Sequence, residues 1–287
     1  MLQLLRFLVV LILSPLTAAA LPSLAAAHVI DDDIVLALDD DGRLHRLTAA
    51  GWQAGETPCP TAGPYNLSYF SFADPEQPDN VFVIDRFGRL YQTDGTTWDE
   101  LAPPPAEAVA PCPGSVYHAD SAGIGVFLVD AAGRLFVDST AGTWRTVEAR
   151  LPAPPPLDSG SVYDAATASL EPLVLAADNR IYGLIDGEWQ STELETAAAG
   201  IRRFDHYHHR TTGFLLLLGL DESGRLYDNS SGELTPVDFP ACPGTGPWEI
   251  ELVRIEELDA FNVICLDSGG RLYLVGGDHW TPLAGRF

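Results

Sequence analysis

Residues 81–98 read Val-Phe-Val-Ile-Asp-Arg-Phe-Gly-Arg-Leu-Tyr-Gln-Thr-Asp-Gly-Thr-Thr-Trp, and the pattern inside this stretch recurs along the whole chain. An apolar run suited to a buried strand is followed by Asp-x-x-Gly. That is turn chemistry: the Asp side chain accepts backbone N–H bonds, and Gly tolerates the left-handed conformation that closes a hairpin. Arg-Leu-Tyr then begins a second strand, Asp94-Gly95 supplies a second turn, and Trp98 opens an outer strand. Working outward, the same landmarks stand at Asp39 to His45, Asp130 to Phe136, Asp178 to Tyr182, Asp221 to Tyr227 and Asp267 to Tyr273. The shared arginines, Arg43, Arg89, Arg134, Arg180, Arg225 and Arg271, are spaced by 46, 45, 46, 45 and 46 residues. Nine or ten residues after each comes Trp52, Trp98, Trp144, Trp189, Leu234 and Trp280. In the fourth copy Asn179 takes the place of Gly, being the next best residue at positive φ.

Adding an innermost strand begun by Tyr65, Tyr117, Tyr163 or Trp248 gives four strands in about 45 residues, the size of a propeller blade. Six copies predict an all-β, six-bladed β-propeller with four antiparallel strands per blade, the blades spanning roughly 28–57, 58–103, 104–153, 154–196, 197–240 and 241–287. Residues 1–27 read as a secretory signal: Arg6 lies in the n-region, Phe7 to Leu16 form an apolar h-region, and Ala-rich sequence follows. Small residues suit cleavage before either Leu21 or His28, and cleavage after Ala27 is the expected boundary. A secreted or periplasmic protein follows, with no membrane insertion after the leader is removed.

Forty acidic residues against 16 basic ones give a net charge of −24, and every one of the 16 is Arg. Such a surface repels nucleic acid and anionic lipid, which removes both from the partners expected. A hydrophobic content of 46% is ordinary for a folded core. The apolar runs are expected to sustain that core without added salt or calcium.

The 81–98 pattern resembles the tectonin repeat and, more loosely, bacterial propeller lectins and the tachylectins. The resemblance implies a non-enzymatic recognition module that binds a glycan or a cell-surface protein, with a protein-interaction scaffold lacking sugar affinity as the alternative. Those lectins carry a second aromatic beside each Trp that does not recur here, so no sugar-contact residue is transferred. The chain has no Gly-x-Ser-x-Gly elbow, His-Glu-x-x-His or phosphate loop. A metal-dependent hydrolase of lactonase or phosphoesterase type at the central channel remains a third reading, on blade number alone.

The least repetitive stretch is Arg202 to Arg210, and it supplies the ligand-binding candidates Asp205, His206, His208 and Arg210. On a strand His206 and His208 would share one face about 7 Å apart, a separation that suits one metal ion or anion. His118, Asp120 and Asp164 are the further donors expected from neighbouring innermost strands. No cofactor is expected beyond such a divalent metal. The repeated Trp and Leu-Tyr residues are expected to pack blade on blade, and each turn Asp to fix its own turn. In an exported chain the four cysteines are expected to form two disulfides, Cys59 with Cys112 and Cys242 with Cys265. That pairing places Cys59, Cys112 and Cys242 alike in loops leading into the ring.

Overall fold

The computed structural model describes residues 23–29, 32–39, 41–48, 51–61, 63, 65–70, 80–85, 89–93, 95–101, 103, 112–119, 123–139, 144–164, 169–195, 200–209, 214–255, 260–276 and 278–286. They form antiparallel four-stranded sheets, and the apolar run of each repeat is the second strand of its sheet. Sheet 1 holds β1 (Ser23–Val29), β2 (Asp32–Leu38), β3 (Leu44–Thr48) and β4 (Gly51–Ala54); sheet 2 holds β5 (Tyr65–Phe70), β6 (Asn80–Asp85), β7 (Leu90–Thr93) and β8 (Trp98–Glu100). Sheet 3 holds β9 (Cys112–Ala119), β10 (Gly123–Val129), β11 (Arg134–Ser139) and β12 (Trp144–Arg150); sheet 4 holds β13 (Pro156–Asp164), β14 (Ser169–Ala176), β15 (Arg180–Ile185) and β16 (Glu188–Glu195). Sheet 5 holds β17 (Ile201–His209), β18 (Phe214–Asp221), β19 (Leu226–Asp228) and β20 (Thr235–Pro236); sheet 6 holds β21 (Glu249–Ile255), β22 (Ala260–Leu266), β23 (Arg271–Gly276) and β24 (His279–Arg286). Strand order within every sheet follows the chain, so each is a simple meander. No helix among the described residues is long and apolar enough to cross a membrane.

The second strands are apolar on both faces because both faces are covered. In β14, Leu173 and Leu175 pack with Ile201, Phe204 and Leu217 of sheet 5, while Val174 and Ala176 pack with Phe127, Val129 and Leu135 of sheet 3. In β6, Val81 and Val83 face Leu36 and Leu38, while Phe82 and Ile84 face Leu128 and Phe136. The two-residue strand period therefore sends alternate side chains to the two neighbouring sheets, and the core is a series of layers between sheets. The innermost strands follow one another in a circuit: β1 lies against β5, β5 against β9, β9 against β13, β13 against β17, β17 against β21, and β21 against β1.

Each turn Asp does what its sequence position predicts. One carboxylate oxygen of Asp130 accepts the N–H groups of Ala132 and Arg134 at 2.9 and 2.8 Å, and Asp39, Asp221 and Asp267 make the same pair of bonds. The second oxygen is satisfied by the third strand: His45 pairs with Asp39 at 2.7 Å and the Tyr227 hydroxyl donates to Asp221 at 3.0 Å. Phe136 has no hydroxyl, and there Arg134 Nε donates to Asp130 at 2.7 Å. In the fourth repeat Ala176 stands where the other turns have Asp, and Asp178, two residues later, takes the Tyr182 hydroxyl at 2.7 Å. Asn179 there has φ of 61°, matching the 71–82° of Gly42, Gly133, Gly224 and Gly270.

Three features depart from the sequence expectation. Tyr117 and Tyr163 were expected to begin innermost strands, but β9 begins at Cys112 and β13 at Pro156. β1 runs from Ser23, so five of its seven residues lie in the stretch read as leader, paired from Ser23↔Leu38 to Val29↔Asp32. Sheet 5 has an outer strand of two residues, and the Asn229 side chain extends its ladder: the amide donates to Leu215 O at 2.9 Å and accepts from Leu217 N–H at 2.7 Å.

Candidate functional site

A cleft of about 480 Å³ opens between sheets 5 and 6, with Leu157 of β13 at one side. Arg202 and Arg203, adjacent in β17, point their guanidinium groups to different carboxylates. Arg202 meets Glu222 of the β18–β19 turn, with Nε donating at 2.7 Å, and both side chains are exposed. Arg203 donates through Nε to both carboxylate oxygens of Glu249 at 3.1 and 3.0 Å and through one terminal nitrogen to Leu157 O at 3.2 Å, so it ties sheets 4, 5 and 6 together. Trp248 closes the third wall. Its indole N–H donates to Pro243 O at 2.8 Å, and its ring lies between the backbones of Gly224 and Gly246, where an added Cβ would come within 3.2 and 2.4 Å of it. Asp221 lines the cleft too. Its burial opposes ionisation, but bonds from Ser223, Arg225 N–H and Tyr227 outweigh that and hold its carboxyl below the usual range.

The cleft thus offers fixed donors, fixed anionic acceptors and an aromatic surface around one hollow. Guanidinium groups donate in a rigid fork and cannot be deprotonated, and carboxylates accept; together they match a ligand that carries several hydroxyls. Arg202, Arg203, Glu222, Glu249 and Trp248 were not among the sequence candidates. Two signals pointed toward them: Arg202 and Arg203 open the least repetitive stretch, and Trp248 is the Trp that stands outside the Arg-plus-nine register, twenty-three residues before Arg271.

Of the candidates from sequence, Asp205 and His206 have roles that link sheets. Asp205 accepts Leu252 N–H of β21 at 2.5 Å, and Asp158 of β13 accepts Phe204 N–H of β17 at 2.9 Å. Desolvation pushes Asp158 up to about 7 against the pull of Arg203, and desolvation raises Asp205 against the pull of His206. His206 was expected to share an open strand face with His208. Instead its side chain is 15% exposed and rests on Gly160 of β13, where a Cβ would fall 2.8 Å from Cε1. Asp164, opposite Ser169, is in step with His209 and not with His208, which lies opposite Leu215. His118 pairs with Ile124. The side chains of His118, Asp164 and His208 lie outside the described residues, as do Asp120 and Arg210 entirely. Among the described residues no group of three or more His, Cys, Asp or Glu is placed to hold a metal ion.

Cys59, Cys242 and Cys265 are buried, and the structure shows them in the thiol form. Cys112 does not share the position of Cys59 and Cys242: it opens β9 opposite Val129, and its side chain lies outside the described residues. The residue that does share their position is Leu151. Cys59, Leu151 and Cys242 donate their N–H groups to Gly42, Gly133 and Gly224 at 2.7, 2.8 and 2.7 Å.

No protein-family model and no curated protein sequence matches the chain. Solved structures do match. A mutant of the Aleuria aurantia lectin in complex with alpha-methyl-L-fucoside is 14% identical, with a TM-score of 0.59 over 93% of this chain and 95% of that one. The SapL1 lectin in complex with alpha methyl fucoside is 13% identical, with a TM-score of 0.60 over 93% and 96%. A triple arginine-to-alanine mutant of AofleA from Arthrobotrys oligospora is 11% identical, with a TM-score of 0.63 over 94% and 88%. The fold is propeller-lectin-like.

Proposed function

We propose that the chain is a six-bladed β-propeller of four strands per blade, exported to the periplasm or the exterior, that acts without catalysis as a recognition module for a glycan. The observation that carries this reading is the cleft between sheets 5 and 6, where Arg202 and Arg203 are each held by a carboxylate beside the indole of Trp248. Sugar hydroxyls donate to Glu222 or Glu249 and accept from the guanidinium groups, and the apolar face of a pyranose ring stacks on Trp248. The fucoside complexes of the Aleuria aurantia lectin and SapL1 support a sugar as the ligand, and so does the tectonin-like repeat.

A glycan array that includes fucosylated oligosaccharides tests this on the purified mature chain. Binding to a defined subset is expected, reduced at least tenfold in Arg202→Ala and in Trp248→Ala. Silence across all sugars, together with a surface protein retained by the chain, would replace the glycan with a protein partner. Metal-dependent turnover of a lactone or phosphoester would move the function to the channel.

A further inference from the structure

We infer that Cys242 and Cys265 form a disulfide that anchors one wall of the cleft. Cys59, Leu151 and Cys242 occupy one repeated position, fixed by the bond to the turn glycine of the preceding sheet. Facing it stands the residue six before each repeat arginine: Val83, Val174 and Cys265. Cys59 shares an apolar cluster with Val83, Leu151 with Val174, and Cys242 with Cys265. Apolar packing at this position is thus supplied by one Cys with Val, or by Leu with Val. In sheet 6 both members are thiols, buried together in one cluster.

Their place gives the link a mechanical consequence. Cys265 lies opposite Ile250 in the β21–β22 ladder, while Cys242 begins the loop into β21. Six residues on is Trp248, whose indole bonds back to Pro243 beside Cys242. A bond between the sulfurs therefore fixes the base of the loop that carries the aromatic wall.

Formation breaks two S–H bonds and makes one S–S bond. The two electrons and, by way of solvent, the two protons pass to an external disulfide, whose S–S bond breaks to give two thiols by exchange. Cys242 is 5% and Cys265 0% exposed, and the neighbouring Cys242 thiol and then burial raise the Cys265 pKa, so Cys265 is not a competent thiolate once folded and neither sulfur is open to reductant. Exchange takes place while the sheet assembles in an oxidising compartment, and the finished bond is shielded from reductant.

The exported protein, unfolded in guanidinium without reductant and treated with N-ethylmaleimide, should yield a peptide linking Cys242 to Cys265, with both residues alkylated only after reduction. Alkylation of both before reduction, or a link from either to Cys59 or Cys112, overturns the inference. The variant Cys242→Leu with Cys265→Val borrows the Leu151 and Val174 pair and should fold. Refolding under reductant should lower the Tm of the wild type by about 5–10 °C and leave that variant unchanged. An equal Tm for oxidised and reduced wild type overturns it. These readouts need no ligand and stand whether or not the cleft binds a glycan.

Discussion

Asp158 on the innermost strand of sheet 4 accepts the backbone N–H of Phe204 on the innermost strand of sheet 5. Asp205 stands in the same relation to Leu252 one sheet further on. An innermost strand is an edge strand, with N–H groups that no ladder partner takes. Here a carboxylate from the preceding sheet takes one of them, so that part of the sheet-to-sheet register is carried by groups whose protonation can change.

Asp158 titrates at about 7 when folded, above its ordinary 3.8, because desolvation outweighs the nearby Arg203. Between those values the folded chain holds a proton that the unfolded chain has released. The stability it contributes is complete below about pH 4 and is lost as pH rises through about 7. Urea unfolding of the wild type is expected to weaken from pH 5 to pH 8, and Asp158→Asn to remove on the order of 1–3 kcal/mol of that slope. Parallel curves for the two proteins would contradict the assignment.

Gly160, within β13, is required by close approach, since a Cβ there would meet the His206 ring at 2.8 Å. Gly160→Ala is expected to cost about 1–3 kcal/mol by overpacking. Adding His206→Ala should recover most of that loss. A double-mutant cycle with no coupling would show that the ring is not wedged there.

Asp130 and Arg134 form the most buried of the turn pairs, with the carboxylate 0% exposed and the guanidinium at 2.6 Å. Asp130→Ala leaves Arg134 and two turn N–H groups without their acceptor. A loss of about 3–5 kcal/mol is expected, read as a fall in urea midpoint. Arg202→Ala, whose ion pair with Glu222 is solvated, should stay within about 0.5 kcal/mol of the wild type.

The β1 ladder bears on where the proposed leader would be cut. Cleavage after Ala27 would remove five of the seven paired residues from the innermost strand of sheet 1, whereas cleavage after Ala20 keeps Ser23–Val29 whole. Intact-mass measurement of the exported protein should give a chain that begins at Leu21. A chain that begins at His28 would mean that sheet 1 forms without most of β1.

Much of the architecture was legible because its causes are local. An apolar run, Asp-x-x-Gly and Arg-Leu-Tyr each act on neighbours within a few residues, and the 45–46-residue spacing multiplies them. The innermost strands were misread at Tyr117 and Tyr163 because their ladders slip. The register shifts between Val126 and Leu128, between Pro156 and Asp158, and between Ile201 and Arg203. Pairing resumes beyond each bulge, so β9 and β13 begin five and seven residues before their aromatic landmarks.

The sequence by itself determined an acidic, Lys-free, all-β chain of six like units and the turn role of each Asp, because composition, periodicity and turn chemistry need no knowledge of what lies across the ring. Only the tertiary structure decided that Arg203 joins Leu157 to Glu249, that His206 rests on Gly160, and that Leu151, not Cys112, shares the position of Cys59 and Cys242. Each of these contacts brings together residues far apart in the chain. Packing between sheets sets them, and one-residue slips in the innermost ladders decide which side chains meet.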